Sequence, residues 1–148
     1  MQRKGSAHWS GDLKSGKGQV STESGALKDL PYGFNTRFED EPGTNPEELV
    51  GAAHASCYAM AMSLGLGEKN LKADDINATA AVTLVEKDGG FAVTKVHLDV
   101  TAKIPGISEE DFQEVAEATK KNCPISKLLT AEITLDAKLA DRPNSSVR

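Results

Sequence analysis

The amino-acid sequence predicts an α+β fold in which a largely antiparallel sheet lies on long helices. Three observations carry that expectation. Residues 49–67 run without a charged side chain and with helical spacing, residues 76–104 alternate with one break at Asp88-Gly89-Gly90, and residues 131–139 alternate again after a second helical segment.

Taken in order, the first forty residues read as short strands separated by turns. Residues 19–23 are β-prone after Gly16-Lys17-Gly18. Residues 34–39 alternate, which predicts a strand with Phe34, Thr36 and Phe38 on one face and Asn35, Arg37 and Glu39 on the other. Arg37 is then expected to point away from the phenylalanines, with Glu39 as a surface partner worth little. A strong helix start follows: Asn45 is a good N-cap, Pro46 fits the first helical position, and Glu47 and Glu48 sit at the positive end of the helix dipole. Leu49, Ala52, Ala53, Cys57, Met60, Ala61 and Leu64 mark the expected buried face, with Gly65 or Gly67 as the stop.

The alternating stretch is a long β-hairpin, with Ile76, Ala78, Ala80, Val82 and Leu84 on one arm and Val96, Leu98, Val100, Ala102 and Ile104 on the other. His97 and Asp99 fall on its polar face. Ser108 is the expected N-cap of a second helix whose buried stripe is Phe112, Val115, Ala116 and Thr119. Cys123-Pro124 restarts the chain into a short helical turn ending near Leu129, and residues 131–139 form the last strand. A single domain over residues 1–139 is expected, with 140–148 as a polar, frayed tail.

Composition narrows the function. A chain of 148 residues buries about 68–70% of its unfolded surface, enough for one core. With 22 acidic against 17 basic residues there is no stripe to neutralise phosphates, so nucleic acid is not an expected partner. The N-terminus has no apolar signal-like region, and a cytoplasmic location is expected. The uncharged run at 49–67 approaches spanning length, but its glycines, serines and His54 favour a core helix over a membrane span.

The two cysteines leave three readings open: inert buried thiols, redox chemistry, or metal binding. Metal is poorly served, because His8, His54 and His97 are scattered and no paired ligand spacing is present. A thiolate is favoured by a helix N-terminus or a nearby cation. By that rule Cys123, just before Pro124, is the better placed. Cys57 lies three turns into its helix and needs a cation from elsewhere, for which Arg37 is the candidate.

The segments Tyr32-Gly33-Phe34-Asn35-Thr36-Arg37-Phe38-Glu39, Gly43-Thr44-Asn45-Pro46-Glu47-Glu48-Leu49 through Ala52-Ala53-His54-Ala55-Ser56-Cys57, and Cys123-Pro124-Ile125-Ser126 resemble the osmotically inducible protein C (OsmC) family, which is related to the organic hydroperoxide resistance (Ohr) proteins. The resemblance runs from about Lys4 to Leu139. It implies an OsmC-like fold, with antiparallel sheets wrapped on long central helices in an intertwined homodimer. It also implies a thiol-dependent peroxidase acting on organic hydroperoxides, without a cofactor. Carried over position by position, Cys57 matches the peroxide-attacking cysteine, Cys123 the resolving cysteine, and Arg37 and Glu47 the pair that holds the thiolate and orients the peroxide. A lipoyl-type or other small dithiol is the implied reductant. An apolar pocket including Phe38, Tyr58 and Met60 is expected to favour alkyl peroxides over hydrogen peroxide.

Glu47 and Cys57 stand ten residues apart on one expected helix, about 15 Å along its axis. A clamp on Cys57 of the same chain is hard to build over that span, so Arg37 and Glu47 are expected to serve the Cys57 of a partner chain. Glu47 also reads as an ordinary first-turn charge. His54, three residues before Cys57, invites a thiol–imidazole pair, although a buried or interfacial histidine is the plainer expectation. Two rival functions are a redox-responsive binding dimer without turnover and a thiol hydrolase using Cys57 with His54.

Overall fold

A computed structural model describes residues 1–140; the expected tail beyond Ala140 lies outside the described residues. The described chain divides into two compact units, one ending at Leu49 and the other beginning at Val50.

In the first unit, β1 (Gly5–Ser10), β2 (Lys17–Thr22) and β3 (Leu30–Tyr32) form an antiparallel meander. Trp9 and Tyr32 flank Gly18 across the sheet, and their rings meet with centroids 5.6 Å apart. A Cβ at Gly18 would fall 2.5 Å from Tyr32 and 2.6 Å from Trp9, so only glycine fits beneath the two rings.

Residues 34–38, expected as a strand, are instead a short helix, α1 (Phe34–Phe38). Alternation over so few residues is equally an i,i+4 pair, and Phe34 packs on Phe38 with ring centroids 5.0 Å apart. Polar groups decide the matter. The Thr36 hydroxyl accepts from the Gly33 N–H at 2.8 Å, and the Asn45 side-chain amide donates to the Thr36 carbonyl at 3.2 Å, closing the turn from both ends. The orientation expected for Arg37 is corrected with it, because the guanidinium lies over the Phe38 ring, 5.1 Å from its centroid.

α2 (Pro46–Gly67) begins as expected, with the Asn45 side-chain oxygen accepting from the Glu48 N–H at 2.8 Å. It ends where Asn70 takes a left-handed conformation (φ 60°) and the Leu71 N–H returns to the Leu66 carbonyl at 2.9 Å.

In the second unit, β4 (Asp75–Lys87) and β5 (Gly90–Lys103) make the expected hairpin. Asp88 (φ 52°) and Gly89 (φ 80°) supply the two positive φ angles of a twist-matched two-residue turn. A register shift falls between Thr83 and Leu84. α3 (Glu109–Asn122), capped by the Ser108 hydroxyl, and α4 (Pro124–Leu128) lead to β6 (Glu132–Leu139). β6 pairs with β5 in parallel, with Leu98 opposite Leu135, so the sheet order is β4-β5-β6 and the last pairing is a crossover around the helices.

The core of this unit joins Leu98, Val100 and Ala102 of β5 to Tyr58, Met62 and Leu66 of α2 and to Phe112, Val115 and Ala116 of α3. The expected stripe on α3 is the observed one. The stripe on α2 is displaced: its buried residues are Gly51, His54, Tyr58, Met62 and Leu66, while Met60 (77%) and Leu64 (68%) are largely exposed. The helix is apolar nearly all round, so spacing alone leaves its rotation about the axis undefined. α2 is long and apolar enough to cross a membrane by length and composition, yet one of its faces is the floor of this core.

α2 approaches the sheet most closely at Gly51, where a Cβ would lie 2.9 Å from the Ala80 carbonyl oxygen, whereas at Gly65 it would make only an ordinary contact of 3.6 Å with Val115. Gly51→Ala is therefore expected to destabilise the fold by about 1–3 kcal/mol. Gly65→Ala should be neutral or stabilise it by up to about 1 kcal/mol through helix propensity. Denaturant unfolding of the two variants checks this contrast.

Candidate active site

Arg37 closes the last turn of α1, and Glu47 stands in the first turn of α2, where the dipole favours a carboxylate. Their side chains meet as a fork. Arg37 Nε donates to Glu47 Oε1 at 2.9 Å and Nη2 to Oε2 at 2.8 Å. Glu47, not Glu39, is thus the partner of Arg37, and those bonds push the guanidinium pKa further above its already high ordinary value. The pairing uses two of the five guanidinium N–H groups. Both side chains remain partly accessible, at 34% for Arg37 and 16% for Glu47.

Within the second unit the two cysteines come together. Cys57 is half-buried in the middle of α2, and Cys123, fully buried, is the joint between α3 and α4. Both are free thiols, and Cys57 lies close enough to Cys123 and to the backbone N–H of Ile125 for both to influence its titration. Burial pushes the Cys57 thiol above its ordinary pKa, the Ile125 N–H opposes that, and the neighbouring Cys123 thiol adds to it. Cys123 reaches this position because α3 ends there: its N–H bonds to the Thr119 carbonyl at 2.9 Å, and Pro124 can start a new helix but cannot continue the old one.

Two buried hydrogen bonds flank Cys57 along α2. The Tyr58 hydroxyl donates to the Ala116 carbonyl of α3 at 2.9 Å, and burial holds that phenol well above its ordinary pKa. On the other side His54 Nε2 lies 2.8 Å from the Ser126 hydroxyl of α4. Burial lowers the imidazole pKa, which favours the neutral ring. The plainer expectation for His54, a buried histidine, is the observed one, and its hydrogen-bond partner is a serine.

Tyr58 and Met60, both expected in a substrate pocket, point to opposite sides of α2. Tyr58 is wholly inside the core with its hydroxyl engaged, which makes it a packing residue in this chain; Met60 faces outward. Phe38 lies in the first unit, under Arg37. A groove of about 680 Å³ runs along α2 and α3, lined by Ala61, Leu64, Val115, Ala118 and Pro124 among others, one turn beyond Cys57 and next to Cys123. On the polar face of the sheet, His97, Asp99 and Asp136 bring potential ligand atoms within 4.8 Å of one another. Asp99 and Asp136 are exposed, and His97 hydrogen-bonds to Thr134, so this is a solvated charge cluster on adjacent strands.

Comparison with known proteins identifies the family of this chain. The family described as OsmC-like protein matches residues 38–138. Peroxiredoxin OsmC of Escherichia coli strain K12 is 55% identical over 139 residues, covering 94% of this chain and 97% of the relative. The chain belongs to the OsmC-like family. A second relative, the organic hydroperoxide resistance protein OhrB of Bacillus subtilis, is 28% identical over 82% of this chain and 88% of its own. The crystal structure described for OhrB of B. subtilis superposes with a TM-score of 0.72, at 27% identity, over 94% of this chain and 98% of that one. An OsmC-like protein of unknown function from Vibrio cholerae shares the fold at a TM-score of 0.75 and 16% identity, over 93% of this chain and 99% of its own.

The sequence alone does not single out Ile125 or Ser126 as neighbours of the two thiols. A backbone donor leaves no side-chain signal, and Ser126 gains meaning only once α4 is folded against His54. Because the Cys123 thiol raises the Cys57 pKa, Cys123→Ala is expected to lower it. Thiolate absorbance followed against pH measures the shift, and at a fixed pH below the pKa the variant should alkylate faster at Cys57.

Proposed function

We propose that this chain is a cysteine-based peroxidase that reduces organic hydroperoxides to alcohols and works as a homodimer with composite sites. The observation that carries this is the contact between two reduced thiols, one accessible and one buried, in a chain of the OsmC-like family. The E. coli relative is named a peroxiredoxin and the B. subtilis relative an organic hydroperoxide resistance protein, which supports both the reaction and the substrate class.

The chemistry follows from the thiols. The Cys57 thiolate attacks the peroxide oxygen remote from the alkyl group. The O–O bond breaks, Cys57 becomes a sulfenic acid, and the departing alkoxide takes a proton to leave as the alcohol. The Cys123 thiol then attacks the sulfenic sulfur, forming the Cys57–Cys123 disulfide and releasing water. An external dithiol, of lipoyl type or another small one, restores both thiols by exchange.

Burial disfavours the Cys57 thiolate, and a nearby cation would favour it. Arg37 supplies that cation. Glu47 fixes the guanidinium plane through two hydrogen bonds, leaving the other N–H groups to face the thiolate and the developing alkoxide. Ten residues of helix separate Glu47 from Cys57, about 15 Å of rise, which supports action in trans. The exposed Met60 and Leu64 supply apolar surface for a second copy or an alkyl chain, with Phe38 adding to the alkyl-binding surface. Residues 1–139 then act as half of a dimeric folding unit in the cytoplasm.

Reduced protein mixed with cumene hydroperoxide tests the reaction. Wild type is expected to consume peroxide and form the Cys57–Cys123 disulfide, Cys57→Ser to lose consumption, and Cys123→Ser to accumulate sulfenic or overoxidised Cys57. Undiminished consumption by Cys57→Ser sinks the proposal.

Mixed dimers test the trans arrangement. When Arg37→Ala and Cys57→Ser chains are co-expressed, a site built in trans regains about one quarter of wild-type activity, because half the dimers are mixed and each has one intact site. A site built within one chain regains none.

A further inference from the structure

His54 is fully buried, and its Nδ1 has no hydrogen-bond partner. An orphaned polar atom in a core is costly, and a leucine would fill similar space without one. Packing therefore does not account for a histidine at this position. Its hydrogen bond does. Nε2 reaches, at 2.8 Å, the hydroxyl of a serine that is itself buried and 72 residues away in sequence.

What that bond holds is α4. The helix has five residues, too few to be stable by itself, yet it presents two groups to Cys57. One is the Ile125 N–H, from the residue just before Ser126. The other is the thiol of Cys123, the residue that caps the helix. A shift of α4 by one rotation step would withdraw both. Ile125 adds apolar packing against the core, but the His54–Ser126 bond is the directional contact that sets the orientation of the turn.

We propose that the His54–Ser126 hydrogen bond is a positioning element for resolution, holding α4 so that Cys123 meets the Cys57 sulfenic acid before a second peroxide does. The proposal rests on the peroxidase reading above. Two reactions compete for one intermediate. In resolution, Cys57–SOH and Cys123–SH give the disulfide and water, and the sulfurs must close to about 2 Å. In overoxidation, Cys57–SOH and R–O–O–H give Cys57–SO₂H and R–OH, an end state that the dithiol does not reverse.

The test compares wild type, Ser126→Ala, Ser126→Thr and the double variant His54→Leu/Ser126→Ala. The double variant removes both polar partners together and so avoids orphaning either one. Each protein turns over cumene hydroperoxide at graded concentrations with excess dithiothreitol, and intact mass gives the fraction of Cys57 converted to sulfinate per turnover. The peroxide concentration at which resolution and overoxidation divide equally reads the ratio of the two rates, whatever the speed of the first attack.

That concentration is expected to fall about tenfold in Ser126→Ala and in the double variant, and to return to the wild-type value in Ser126→Thr, which keeps the hydroxyl. Equal values in all four proteins overturn the proposal, as does a fall in Ser126→Ala that Ser126→Thr shares. Should the double variant not fold, the Ala and Thr variants decide between themselves. A wild-type protein that forms no Cys57–Cys123 disulfide at any dose would instead overturn the peroxidase reading.

Discussion

The rotation of α2 about its own axis is the constraint on which the thiol site depends. Successive residues of a helix are turned by about 100°, so an error of one position would carry Cys57 off the edge of the core. Apolar burial alone does not define that angle, because α2 offers small apolar side chains in most directions. Two directional bonds do: Tyr58 to the Ala116 carbonyl and His54 to the Ser126 hydroxyl, one on each side of Cys57 in sequence. Tyrosine and histidine are the large polar-tipped residues of the stripe, and each spends its polar atom on a different neighbouring helix. The close approach at Gly51 then lets the fixed helix settle against β4.

The two compact units differ in their electrostatics. In the second, burial and a neighbouring thiol disfavour the Cys57 thiolate. In the first, Arg37 is held flat by Glu47 and steadied over Phe38, a cation oriented in advance. On the proposed function, in which a second chain supplies the cation to Cys57, an unpaired copy would be comparatively inert.

Much of the fold was legible because its longer elements carry unambiguous signals: the hairpin through Asp88-Gly89, the Asn45-Pro46 helix start, and the Ser108 cap with its stripe on α3. The failures share one cause. For residues 34–38 and for α2, the apolar pattern was compatible with more than one arrangement, and polar contacts with residues distant in sequence chose between them. The site residues came from resemblance more than from physics. A helix N-terminus favours Cys123, and nothing in spacing alone pairs Arg37 with Glu47 in place of Glu39. Ser126 lies in the Cys123-Pro124-Ile125-Ser126 segment, but its use requires the folded α4.

The parallel pairing of β6 with β5 has a consequence for how the chain acquires its function. The β4–β5 hairpin closes through a two-residue turn, whereas bringing β6 alongside β5 means closing a loop through residues 104–131, at a larger entropic cost. Cys123 rides in that loop. The encounter of the two sulfurs is therefore a long-range contact carried by the crossover, and not a property of any local segment.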